Sequence, residues 1–542
     1  MHVKHVWPVL LLMLCLCTAA TASQEHLTGE YTYIVLPNGG ARIIRYEPEE
    51  RQIKTVTVPD ILEGHPVTVI GEGVFRGMEM ESVILPDTVV LIEQEAFASC
   101  SALKSIRIPQ SLNRISSLAF AGCSGLECFR LSAAVATLGK NPFAGCRSLK
   151  LEVDPQNENF RLTDGFLYSA DGILLSVPGH PEQAEIRAET KKIGPYAFAY
   201  QEKLSSIRFS ENLQEIGDHA FDGCTALAQI DLPDSLKMIG AEAFRHCDSL
   251  TSVTLPSSLS WFSNPFTACQ SLKKILVADN HSYLCSNDGI LMFGGTAILA
   301  YPPGREEDSF TVPSGCSMIG EQAFSGSRRL VKIKLPDSVV SICEGAFDGC
   351  ERLKEINLEN VWEIGKAAFS GCRALKRIEL SDHIYDICDQ CFDGFIGLKT
   401  IKMPAHLQSI GVSAFRNCSN LTEIDIPDCV RDIGENAFER CSSLTYVKLP
   451  HGTRHIKSGT FCGCDSLTEV DMPFGLVSIA DGAFEGCAML AVARVPGSVI
   501  EIGEKAFDIA SDPADSSLTI VAPSNTYAEK YAEEKGIAFG HE

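Results

Sequence analysis

Apolar residues return along this chain at a fixed step. Leu421 to Cys441 reads LTEIDIPDCVRDIGENAFERC, Leu444 to Cys464 reads LTYVKLPHGTRHIKSGTFCGC, and Leu467 to Cys487 reads LTEVDMPFGLVSIADGAFEGC. In the first six positions of each unit, positions four and six are aliphatic while three and five are polar or variable. That alternation of period two is the mark of a strand buried on one side. A proline follows, then a second aliphatic pair, a phenylalanine and a cysteine, each 23 residues from its counterpart. A unit this short cannot bury its apolar face alone, so the pattern predicts a solenoid in which each coil covers the next.

The repeat phenylalanines fall at 75, 97, 120 and 143, resume at 198, 221, 244 and 266, and run from 324 through 507. The two gaps are related to one another. One carries Asp164-Gly165-Phe166-Leu167-Tyr168 and the other Asp288-Gly289-Ile290-Leu291-Met292, each followed by turn residues and a short apolar run, which predicts a β-hairpin laid on the coil edge. Tyr31 to Leu36, Asn38-Gly39-Gly40 and Ala41 to Ile44 predict a further hairpin covering the open end of the first coil. Thr526 to Lys535 has helical spacing with Gly536 as its stop, a C-terminal cap. The expected organisation is a signal peptide over 1–22, a β cap over 23–70, and repeats over 71–149. A hairpin insert over 150–192 then precedes repeats over 193–272. A second insert over 273–318, repeats over 319–511 and a cap over 512–542 complete it.

The N-terminus adds a location. Lys4 and His5 precede the apolar run Val9 to Cys17, too short to cross a bilayer, and Ala20-Thr21-Ala22 fits a cleavage site. The reading is a secreted or cell-surface protein with no membrane insertion after cleavage. A net charge of -23 argues against nucleic acid or an anionic membrane as the partner.

Cysteines recur three places after the repeat Phe, at 100, 123, 146, 224, 247, 269, 350, 372, 418, 441, 464 and 487. In an exported protein such a column raises the question of disulfides. Every partner would be the same position one coil away, and a run of three cannot pair completely, so the spacing favours buried thiols while leaving some pairing open. Cys388 and Cys391 have CxxC spacing, but no second pair or nearby His completes a ligand set. No nucleophile elbow, phosphate loop or metal-binding helix motif occurs, and the reading is of a protein that is not an enzyme and needs no cofactor.

Strand position five reads Glu379, Lys402, Asp425, Lys448, Asp471, Arg494 over successive coils. Neighbours in a parallel stack lie about 4.8 Å apart, so strict alternation of sign predicts pairing along the column. Position three is less regular, with Arg377, Tyr446 and Val492 as contact candidates. Trp261 and Trp362, inside repeats, read as packing residues.

Leu421 to Cys441 follows LxxIxIPxxVxxIGxxAFxGC except for Arg440 in place of the last glycine; this motif closely resembles the BspA-like leucine-rich repeat, and the resemblance spans essentially the whole mature chain. It implies a β-rich solenoid, a right-handed coil with a parallel sheet on one face, exported or surface-exposed, in a family that includes adhesins. The function expected is binding of a protein or a surface glycan through the solenoid face, the alternative being a structural cell-envelope protein without a specific ligand. Departures from the repeat are where a partner would be read: Tyr446, Val492, Arg377, His451, Arg454 and His455.

Overall fold

The computed structural model describes residues 24–49, 53–509 and 518–541, so the signal-peptide segment lies outside it. Contacts divide the chain into two compact units, one ending at Gly165 and one beginning at Phe166.

In most coils positions three to five form a short strand whose middle residue is buried. Tyr446–Lys448 is typical: Val447 and Leu449 are buried while Tyr446 and Lys448 face solvent. The same strands of successive coils pair in parallel, as in Glu423–Ile424, Tyr446–Lys448 and Glu469–Asp471. The proline that follows ends the strand, and its carbonyl accepts a turn hydrogen bond three residues on, as from Val430 N–H to Pro427 O at 3.0 Å. A second parallel ladder then forms from strands of only two residues, such as Ser409–Ile410 beside Asp432–Ile433. The coil therefore carries two ladders, not one.

The hairpins lie at the edges the sequence suggested and, in addition, begin the second ladder. In the first unit an antiparallel meander, Glu25–Thr28, Tyr31–Val35 and Ala41–Tyr46, passes its last strand into parallel pairing with His65–Ile70 and so begins the second ladder. In the second unit Phe166–Ser169 and Leu174–Ser176 do the same ahead of Lys192–Ile193. Leu284–Asn287, Ile290–Phe293 and Ala297–Ala300 repeat the device ahead of Met318–Ile319. Each insert is the edge from which a ladder starts, and the N-terminal hairpin, at the open end of the first coil, is a third copy of that starter.

Inside, the repeat phenylalanines stack. From Phe324 to Phe507 each ring lies 5.1–5.9 Å from the next, all at low interplanar angles. Tyr301 occupies the Phe slot of the starter coil and stacks on Phe324, and Tyr531 of the C-terminal helix Tyr527–Lys535 closes the far end edge-on against Phe507. In the first unit Tyr46 and the stack from Phe75 to Phe143 do likewise. Each stacked pair adds about 0.5–1.5 kcal/mol beyond its area burial.

The cysteine column is explained by the backbone. Each thiol in it donates to the carbonyl oxygen of the repeat Phe one coil earlier, as from Cys418 to Phe392 (3.3 Å), Cys441 to Phe415 (3.2 Å) and Cys464 to Phe438 (3.2 Å). All twenty cysteines among the described residues are free thiols. Burial pushes the Cys146 and Cys487 thiols up to about 12, which keeps the proton needed for donation.

Glycines divide into two uses. Gly411 in the Ile-Gly slot does not have a positive φ; its reason is close approach, since a Cβ there would meet Asp389 N at 2.6 Å. By contrast the positions two before and two after most repeat phenylalanines are left-handed, and the chain places Leu118, Glu242 and Arg440 there as well as glycine.

Across the second insert, coils distant in sequence become neighbours. Asn264 Nδ2 donates to Gln322 O (2.9 Å), Gln270 Nε2 to Gly326 O (3.3 Å), and Gln322 Nε2 to Glu242 Oε1 (2.9 Å).

Candidate functional site

With the interior consumed by packing, chemistry is left to the outward columns. On the first ladder Tyr446 is 44% exposed and lies in register between Glu423 and Glu469. Arg377, two coils before that group, pairs with Thr400, and Val492, half-buried and one coil after it, pairs with Thr519. His451 and Arg454 sit in the turn that follows Pro450, where His451 Nδ1 lies 3.4 Å from Asp428 Oδ1. His455 opens the second ladder and its Nδ1 is 2.8 Å from Ser478 Oγ. The six residues singled out from the sequence are thus distributed over two faces and the turn joining them. They do not converge on one pocket.

The His455–Ser478 contact is a register contact between neighbours in one column. Asp432, the equivalent position one coil earlier, is held by Lys457 at 2.7 Å, and among the described residues His455 has no carboxylate partner of the kind nucleophile activation requires. Cys391 is buried and Cys388 half-buried, and burial pushes both thiols up, the reverse of what a redox-active CxxC needs. Among the described residues no group of three or more His, Cys, Asp or Glu is placed to hold a metal ion.

The alternating charges of position five are in register, Glu379 beside Lys402 and Lys448 beside Asp471. No ion pair forms between either couple among the described residues. In the preceding block the corresponding Glu185 and Arg208 do pair, at 3.4 Å. Alternation in the longest block therefore avoids like-charge repulsion without making contacts.

The two tryptophans are corrected by the structure. Trp261 and Trp362 are 47% and 56% exposed. Trp362 stands just before its second-ladder strand, a slot that other coils fill with Gln408 or Arg431, and Trp261 stands one place later, as the first strand residue, in the slot of Met238 and Ser409. Comparing slots across coils would have revealed this from the sequence. Trp362 is accompanied by Tyr385 and Val340 in the same column, with the His383 ring 5.1 Å away.

An open groove of about 680 Å³ runs along the turns after the phenylalanines, lined by Arg373, Asp393, Asn417, Arg440 and Asp465. Asp393 is already engaged, by Arg416 Nη2 at 2.6 Å and by Asn417 Nδ2 at 3.2 Å.

Among solved structures, this chain is similar to a leucine-rich cell-surface protein from Faecalibacterium prausnitzii. The two are 26% identical over 77% of this chain and 96% of the other, with a TM-score of 0.38. A leucine-rich repeat protein from Eubacterium ventriosum is 18% identical over 91% and 96%, with a TM-score of 0.37. One from Bacteroides ovatus is 19% identical over 95% and 99%, with a TM-score of 0.28. No curated protein sequence matches the chain. The BspA type leucine rich repeat region matches residues 30–164, 183–288, 306–418 and 386–512. With two outward-facing ladders around a core of stacked phenylalanines and buried cysteines, and with that match over most of its length, the chain belongs to the BspA-type leucine-rich-repeat family.

Proposed function

We propose that this chain is an exported interaction protein that binds a protein or a surface glycan through the outward side chains of its stacked coils. Tyr446 carries the reading: its ring is solvent-exposed on the first ladder, between two carboxylates in register, in a slot that contributes nothing to the core. Exposed aromatics at such sites supply most of the energy in protein interfaces and stack on sugar rings. Arg377 and Val492 extend the contact along that face, and His451, Arg454 and His455 extend it around the turn. Export rests on the N-terminal segment, residues 1–22.

The test is binding of the folded mature chain to a panel of purified extracellular-matrix proteins and to a glycan array. Saturable binding weakened by about tenfold or more in Tyr446→Ala is the expected result. Equal binding by the variant, or no saturable ligand for the wild type, overturns the reading. Tight retention in the cell envelope with no ligand would favour the structural role instead.

A further inference from the structure

The slot that holds Trp362 contains a pattern the family repeat does not require. Across seven successive coils it reads Val340, Trp362, Tyr385, Gln408, Arg431, Arg454, Val477. Backbone hydrogen bonds join four of its six steps, from Trp362 N–H to Val340 O (2.8 Å), Gln408 N–H to Tyr385 O (2.7 Å), Arg431 N–H to Gln408 O (3.0 Å) and Val477 N–H to Arg454 O (2.7 Å), while the ladder is interrupted between Trp362 and Tyr385 and between Arg431 and Arg454. Read outward from Gln408, the two halves are complementary. One step away Tyr385 answers Arg431, two steps away Trp362 answers Arg454, and three steps away valine answers valine.

The chemistry on each half is unspent. Val340, Trp362 and Tyr385 are exposed, and Glu363 and Asp386 follow the two aromatics on the same face. Asp386 accepts a hydrogen bond from Ser409 Oγ, but neither carboxylate has an ion-pair partner among the described residues. Arg431 and Arg454 are exposed and likewise have no ion-pair partner there. Guanidinium groups prefer the faces of Trp and Tyr and carboxylates beside them, so each half lacks what the other offers.

We infer that this face is a self-association surface, on which a second copy of the chain docks antiparallel about a two-fold axis passing at Gln408. Such an axis lies in the interface parallel to the strands, so each coil meets the coil equally far on the other side of Gln408. Arg454 of one copy covers Trp362 and Glu363 of the other, and Arg431 covers Tyr385 and Asp386. One like-charge pair results, Asp386 opposite Asp432, and Asp432 is already neutralised by Lys457 at 2.7 Å. Seven coils at about 4.8 Å spacing give a strip roughly 29 Å long. At two or three side chains wide this is below the ~800 Å² per partner of a standard interface, so the dimer is weak and salt-sensitive. It uses a different ladder from Tyr446 but shares Arg454 with the ligand-binding reading, and Tyr446→Ala separates the two.

Sedimentation velocity of the mature chain from micromolar to millimolar concentration, at low and high salt, tests it. A concentration-dependent dimer that weakens with salt is expected. Arg431→Glu with Arg454→Glu, and separately Trp362→Arg with Tyr385→Arg, should each raise the dissociation constant by at least about tenfold. Each substitution is at the surface, and circular dichroism checks that the fold is kept. Mixed together, the two variants should recover a heterodimer, since each supplies the charge its partner now needs. Tyr446→Ala should leave association unchanged. A wild type that stays monomeric throughout, a dimer indifferent to both reversals, or a mixture that fails to recover overturns the inference.

Discussion

Phe415 and Lys448 lie two coils apart in the same block and obey different rules. Phe415 lies between Phe392 and Phe438 with ring centroids at 5.3 and 5.4 Å, and its carbonyl receives the Cys441 thiol. Nearly every coil repeats that environment. Lys448 faces Asp471 across the ladder without touching it, and the charge at its position changes from coil to coil. Inside, a side chain is determined by contacts with two identical neighbours, so any change is felt on both sides. Outside, it needs only to avoid repelling its neighbours, which leaves identity free for a partner to shape.

The largest effect should come from opening the inside. Phe415→Ala removes two stacking contacts and leaves a cavity, and should cost about 3–5 kcal/mol. Because each coil contacts only its neighbours, hydrogen exchange should speed up in the flanking coils first and leave distant ones protected. Uniform loss of protection along the chain would show that the interior is more cooperative than the column of pairwise stacks suggests.

Raising the pH attacks the thiol column without mutation. Burial lifts the folded-state values of Cys146 and Cys487 to about 12, above the ordinary thiol value near 8.5. A group whose folded value is raised contributes stability that is complete below the unfolded value and is lost as pH climbs through the folded one. Thermal melts in reductant should therefore be flat up to about pH 8.5 and fall steadily toward pH 12. A melting curve insensitive to alkali would mean the thiols do not donate.

The chain contains its own experiment on this column. Ser327 stands where other coils place the cysteine, is buried, and leaves its hydroxyl without a partner. The shorter C–O bond stops Oγ short of the carbonyl one coil earlier, that of Tyr301. Ser327→Cys should fill the slot, restore the bond and stabilise the protein by about 1–2 kcal/mol, read from the denaturant midpoint.

The smallest effect should be outside. Lys448→Gln should change stability by less than about 0.5 kcal/mol, with no dependence on salt, because no ion pair is lost. A loss of 1 kcal/mol or more would put position five among the structural columns.

These contrasts also explain what could be read from the sequence. The phenylalanine, proline and cysteine columns were legible because their period is nearly constant and each has one buried function. The second ladder was not, since strands as short as Ser409–Ile410 have one residue in and one out and produce no alternation. The left-handed positions beside each Phe stayed hidden because Leu118, Glu242 and Arg440 occupy them without the glycine that normally marks such a turn. Trp362 was misread because an aromatic within an apolar repeat resembles core, whereas its slot faces solvent. The candidate surface was legible only as a set of departures, and departures alone do not say which face they share.

The three antiparallel starters have a consequence for how the chain folds. A parallel ladder on its own requires contacts a full coil apart, and a long uniform one would have few local places to begin. Each starter is built from strands adjacent in sequence, as Ile290–Phe293 is with Ala297–Ala300, and such hairpins close within microseconds. Their last strands already present the edge on which the next coil adds. Nucleation is thus available at three points along the chain, and growth from each is a short propagation.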